Sequence, residues 1–383
     1  METCPLGCRD LARAPGLAWS IRKMHAAMIG FLAAWGIYFV FSYAALAASS
    51  ARGGGLVAIF RTFEFFPYLP APEAGVVSLT LWIAGIVAAM CVILLTAVSV
   101  SVIAVEDLRG NLMFQTSEAL RFMRAHRSTV LFTMGALTLL VLVFPAGFAL
   151  AALGGRIPVI GELALAVLAL PLFFWGLAGV AVILVFLFGF NTVPAITAWT
   201  GKDVLETVLQ AFSLVWSRPI RFLLLQIAAR IITAISALLL GMLCFCALLL
   251  GVWVLAHITG YKWNELFTTA LCRIPGVMDS EYALRIIYAL SVNLGTPLIV
   301  DTTAVSPTVR AAGWILGGSF LLTGLWIASF GFSVFYSTQT IIYRVLRPGK
   351  EEGGSPCTRD AAPDGTAVRE KVESPRDTGP MAG

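Results

Sequence analysis

The sequence predicts an all-α polytopic membrane helix bundle, about six transmembrane helices with interfacial amphipathic helices between some of them. Three observations point there. Of 383 residues, 59% are hydrophobic and 12% charged, against about 45–50% and about 25% in a soluble domain. Six apolar runs each reach the roughly 20 residues that a helix needs to cross a hydrocarbon core of about 30 Å. Lys and Arg gather on one side of those runs, as they do on the cytoplasmic side of membrane proteins. A soluble enzyme, a disulfide-stapled secreted module and a disordered chain are all excluded by this composition.

Residues 1–25 form a basic N-terminal segment with Arg9, Arg13, Arg22 and Lys23. The first span is Ala26–Ala48. Its Ala45-Leu46-Ala47 has the small residues of a leader-peptidase site, but the apolar run exceeds the roughly 7–15 residues of a signal peptide. Retention is therefore expected; cleavage would leave five spans and an external N-terminus. The second span, Ala74–Val105, would be about 48 Å long and must tilt or protrude. Glu106 and Asp107 follow it, with Arg109, and read as a solvated helix end. Adjacent side chains on a helix diverge by about 100°, so the two carboxylates cannot easily grip one metal.

Residues 111–127 read as an interfacial helix with Leu112, Thr116, Ala119, Leu120 and Met123 on one stripe and Glu118, Arg121 and Arg124 off it. The third span is Ser128–Gly154. The fourth, Glu162–Ala198, begins with a carboxylate that suits the positive end of the helix dipole; Pro171 and Pro194 are expected to kink or end it. A second interfacial helix, 202–217, has Val204, Leu205, Val208, Leu209, Phe212, Val215 and Trp216 on its apolar face. Lys202, Asp203, Glu206, Gln210 and Ser213 fall on the other. The fifth span is Phe222–Ala256.

The outer loop 257–310 carries an amphipathic stretch, Asp279–Leu294, between Pro275-Gly276 and Gly295. It is expected to cap the outer face, with Tyr261 and Trp263 at the interface; a substrate-facing lid is the other reading. The sixth span is Ala311–Tyr343, where Gly313 and Gly317 allow close helix packing within the bundle. The tail, 348–383, is rich in Gly, Pro and mixed charge and is expected to be disordered.

With the N-terminus in the cytoplasm, 18 of the 26 Lys and Arg lie on cytoplasmic segments and 7 on outer ones, and Arg230 lies within a span. Both termini are thereby expected in the cytoplasm. Trp199 and Trp216 on one side, and Trp253, Trp263 and Trp314 on the other, suit interfacial anchoring.

The two interfacial helices each run directly into a span. At an offset of 92 residues, Ala119 meets Ala211, Leu120 meets Phe212, Phe122 meets Leu214 and Leu131 meets Leu223. This suggests a repeated unit of one interfacial helix and two spans. Leu11–Lys23 would start a third copy, interrupted by Pro15 and Gly16. The run TGKDVLETVLQAFSLVWSRPIR, Thr200–Arg221, resembles a pattern in bacterial six-span membrane proteins. These include the membrane domain attached to some glycerophosphodiester phosphodiesterases, and related uncharacterised families. The resemblance covers about two repeat units and implies topology alone; a bacterial cytoplasmic (inner) membrane is the expected location. The catalytic domain of those enzymes has no counterpart, because no extramembrane segment is long enough for it.

Chemistry is harder to find. There is no G-x-S-x-G, H-E-x-x-H, P-loop or C-x-x-C. Seven cysteines and three histidines form no metal-ligand spacing, so no cofactor is expected. The net charge of +5 is explained by topology and does not imply nucleic acid. Arg230 asks for an explanation, since a charge within a span is expensive and usually meets a partner, a polar cavity or the headgroups. Gln226, one turn earlier, and Asn191, at comparable depth, are its candidate companions in an anion or lipid contact. The expected function is a non-catalytic structural, assembly or lipid-interacting component. Membrane lipids are the expected partner and another membrane protein a second one. The alternative is a transporter or permease subunit for a small or amphipathic substrate, with a polar cavity lined by Arg230, Gln226 and Asn191.

Overall fold

The structure, a computed structural model, describes residues 15–16, 19–49, 67, 75–111, 113–157, 160–201, 203–271, 285, 288 and 306–346. Among these are ten helices and no strand. They are α1 (Ile21–Ala48), α2 (Val76–Leu108), α3 (Thr116–Ala125), α4 (Arg127–Gly154) and α5 (Ile160–Gly189), then α6 (Val193–Thr200), α7 (Val204–Ser217), α8 (Pro219–Thr259), α9 (Tyr261–Leu271) and α10 (Pro307–Leu346). Helices α1, α2, α4, α5, α8 and α10 are long and apolar enough to cross a membrane. The chain is thus an all-α, multi-pass membrane protein. The expected tail and most of the outer amphipathic stretch lie outside the described residues, as do 11–14 and 17–18 at the start of the proposed third repeat copy.

Helices α1 and α2 pack side by side and antiparallel. Small residues set the approach: Gly30 faces Thr96, and Gly85 faces Phe41. Interhelical contact in lipid rests on such close fit, because lipid tails are as apolar as the side chains they would replace.

The fourth span is shorter than expected. Pro194 cannot donate to the carbonyl of Phe190 and its ring collides with that turn, so α5 stops at Gly189. The chain turns through Phe190–Thr192, where the Thr192 hydroxyl donates to the Gly189 carbonyl at 2.8 Å. Pro194 then sits in the first turn of the separate helix α6, where a missing N–H costs nothing. Residues Val193 to Ala198 are all buried, packed against α2, α10, α4 and α7. Pro171, by contrast, is accommodated within α5.

Burial is concentrated at one end of the bundle. It takes in Leu94–Val105 of α2, most of Ser329–Tyr343 of α10, the start of α1, α6 and the first turns of α8. Both short amphipathic helices lie at this end. Helix α3 passes into α4 through His126 and α7 into α8 through Arg218. Away from this end α4 and α5 make a two-helix hairpin. Between 138 and 157, and between 161 and 184, its buried residues are the glycines Gly161 and Gly179. Gly313 of α10 meets Thr269 of α9, so this glycine motif does serve packing within the chain.

Candidate functional site

The polar chemistry of the chain also collects at the packed end. Asp107, in the last turn of α2, is 5% exposed and bonds the Lys23 ammonium at 2.8 Å; Lys23 itself is fully buried. Arg22 reaches the other carboxylate oxygen at 3.2 Å and also donates to the Phe114 carbonyl at 2.8 Å. This corrects the solvated-end reading of Asp107: the carboxylate ties the start of α1 to the end of α2. Its neighbour Glu106 does turn toward water, paired with Arg109 at 2.8 Å and accepting from Asn111. The 100° divergence of adjacent side chains sends one inward and one outward.

Trp199 is also more than an interfacial anchor. Its indole donates to the Thr340 carbonyl at 3.3 Å, and the Arg109 guanidinium lies 5.4 Å from its ring centroid. Helices α2, α6 and α10 are joined through it.

The three residues singled out in the sequence do not come together. Gln226 is buried and exchanges two hydrogen bonds of 2.8 Å with Gln339 of α10, each amide donating to the other's carbonyl. Asn191 bonds its own chain, donating to the Leu187 carbonyl at 3.5 Å. Arg230 is exposed and has no hydrogen bond or ion pair with any described residue. It is one helical turn beyond Gln226, but α8 buries Phe222, Leu225, Gln226 and Ala229, a strip that leaves Arg230 at its flank. Gln339 escaped the sequence reading, although amides in two spans are a signal, since each needs a partner in lipid. Replacing Gln226 with Leu is expected to cost about 1–2 kcal/mol by orphaning Gln339. The double change Gln226→Leu/Gln339→Leu should recover most of it in thermal unfolding in detergent.

Helices α3 and α7 present different outward faces. On α3, Ala119 is buried and Thr116, Leu120, Phe122 and Met123 are half-buried, while Ser117, Glu118, Arg121 and Arg124 point out. Thr116, Ala119, Leu120 and Met123 of the expected stripe thus face inward; Leu112 lies outside the described residues, and the helix runs only from Thr116 to Ala125. A capping box fixes the start of this helix, with Gln115 and Glu118 satisfying each other's backbone, which leaves few free donors there. Arg121, Arg124 and Arg127 are exposed and unpaired among the described residues.

On α7 the expected apolar face is divided: Val208, Phe212 and Val215 pack toward the bundle, and the rest of it does not. The side that meets the bundle is Thr207, Ala211, Leu214 and Val215. Gln210, assigned to the polar face, is half-buried and accepts from the Tyr343 hydroxyl at 2.8 Å. Leu205, Leu209 and Trp216, expected on the apolar face, are 73%, 60% and 73% exposed. Positions 205, 209 and 216 fall within one 40° sector of a helix, and Ser213 and Ser217 in the next. The helix therefore has three faces, toward protein, apolar exterior and polar exterior.

Two cavities bear on function. An open one of about 410 Å³ is lined by Ile21, Arg22, His25, Gln115, Thr116 and Ser117. A larger apolar groove lies between α4 and α5. Neither is lined by Arg230, Gln226 or Asn191. No group of three His, Cys, Asp or Glu that could hold a metal occurs among the described residues. No family model, no curated protein and no solved structure matches the chain.

Proposed function

We propose that this multi-pass membrane protein is a non-catalytic, lipid-interacting component of a bacterial cytoplasmic membrane, with both termini on the cytoplasmic side. The outward stripe of α7 carries the reading. Each of Leu205, Leu209 and Trp216 would lose on the order of 2 kcal/mol if left in water, and a helix with a protein face, an apolar face and a serine face suits the headgroup–acyl boundary. Arg121 and Arg124 on α3 and Arg127 at the start of α4 then meet anionic headgroups, each contributing about 1 kcal/mol near such a surface. Arg230 has a flexible stem and no partner among the described residues, and it reaches the same headgroup layer by snorkelling.

Other observations support this reading. Ala119 and Ala211, paired by the 92-residue offset, are both fully buried, as the repeated unit requires. Ala45 and Leu46 are buried within the bundle, and Lys23 holds Asp107, so α1 acts as a retained span. For transport, Gln226 would have to line a polar path, and its amide is already satisfied by Gln339.

The test is extraction of the protein with its surrounding lipid, followed by mass spectrometry. Phosphatidylglycerol is expected to be enriched over the bulk membrane. The triple change of Arg121, Arg124 and Arg127 to Gln should lower that enrichment several-fold. Bulk lipid composition around both proteins would overturn the reading, whereas a stoichiometric second protein with no enriched lipid would replace it by an assembly role.

A further inference from the structure

The hairpin of α4 and α5 has a feature that the interfacial helices do not explain. Along one side of it runs a groove of about 780 Å³, lined by Val141, Phe144, Pro145 and Phe148 of α4 and by α5 residues from Ala169 to Ile183. The volume is within the range of small-ligand sites, about 300–1,000 Å³. Every lining side chain is apolar or glycine.

The groove is built, and local chemistry keeps it open. The two helices converge at their turn, where Gly161 comes against the Gly154 carbonyl. They are pinned again at mid-length, where the Trp175 indole donates to the Phe144 carbonyl at 3.1 Å and lies over Gly147. Gly176 and Gly179 make a low floor against Phe148 and Phe144. Pro145 and Pro171 lie inside the two helices and disturb their regular course. The α5 wall, from 169 to 183, extends about 21 Å and the α4 wall, from 141 to 148, about 10 Å, lengths that bracket the roughly 15 Å that one leaflet's chains span.

We propose that this groove is a binding site for one acyl chain of a membrane lipid. Water does not suit it, because an ordered water needs two to four polar partners and the lining side chains offer none. A void there would forfeit dispersion contacts along its whole length. A headgroup would find no polar side chain inside, so the bound molecule keeps its headgroup outside and inserts a tail. The groove opens sideways onto the lipid-facing surface of the same hairpin, whose Leu170, Phe173 and Phe174 are exposed. The occupant therefore arrives laterally. This site is separate from α3 and α7 and depends on the membrane placement of the hairpin, not on the interfacial role of those helices.

The full chain would be reconstituted in vesicles containing phosphatidylcholine with a diazirine on one acyl chain, and photolabelled residues mapped by mass spectrometry. Label on 141–148 and 169–183 is expected to exceed, at least fivefold, that on the exposed Leu238–Leu243 face of α8, an internal reference in the same molecule. Ala169→Phe, an exposed rim position, should cut the groove label at least fivefold. Leu170→Phe, beside the rim but not lining it, should not. Equal labelling of the groove and α8, or groove labelling indifferent to Ala169→Phe, would overturn the proposal. A variant that misfolds is recognised by a changed α8 pattern, and the wild-type ratio still decides.

Discussion

Asp107→Leu is expected to be the most damaging single substitution at the packed end of the bundle, at about 3–5 kcal/mol. Breaking a buried ion pair by removing one partner is strongly destabilising, and here the change takes from Lys23, which has no exposed surface, the carboxylate it meets at 2.8 Å. Arg22 is less affected, because it keeps the Phe114 carbonyl and is about one-third exposed. The double change Lys23→Met/Asp107→Leu should return most of the stability, since an apolar pair of similar volume is often neutral or better than a buried ion pair. Both proteins would be compared by unfolding in mild detergent. Equal losses in the single and double variants would mean that the pair does not hold α1 to α2.

Gly30→Val should open the same helix pair from the middle. A Cβ at Gly30 would fall 2.6 Å from the Thr96 Cβ and closer still to its branches, so α1 must move away from α2. Overpacking of this kind costs about 1–3 kcal/mol. Thr96→Ala in the same protein should relieve much of it. Gly36→Val, on the same helix with nothing within 4 Å of an added Cβ, should stay within about 0.5 kcal/mol of wild type. A loss at Gly36 equal to that at Gly30 would trace the effect to the β-branched residue and not to the interface.

The spans were legible because crossing a membrane demands length and apolarity, both of which are written locally. Packing was legible where small residues mark it, at Gly313 and at Ala119. The partner of Asp107 was not, because Arg22 lies 85 positions away with Lys23 next to it, while Arg109 stands close by as a plausible local partner. How the apolar face of α7 divides was hidden for a different reason. An apolar stripe that is only partly packed against protein does not say which part is packed. Thr207 and Ala211 could have identified the protein side, since small residues favour close helix contact. Leu205, Leu209 and Trp216, which stay exposed, are large.

The depth of α7 in the bilayer bears most directly on this account. Single cysteines at Leu205, Leu209, Ser213 and Trp216, in a background with the seven native cysteines replaced, would carry nitroxide labels in phosphatidylglycerol-containing nanodiscs. Positions 205, 209 and 216 should be accessible to oxygen and shielded from a water-soluble nickel chelate, with 213 the reverse. Uniform exposure of all four to the chelate, or exclusion of all four from both reagents, would contradict a helix that lies at the membrane surface with its apolar stripe in lipid.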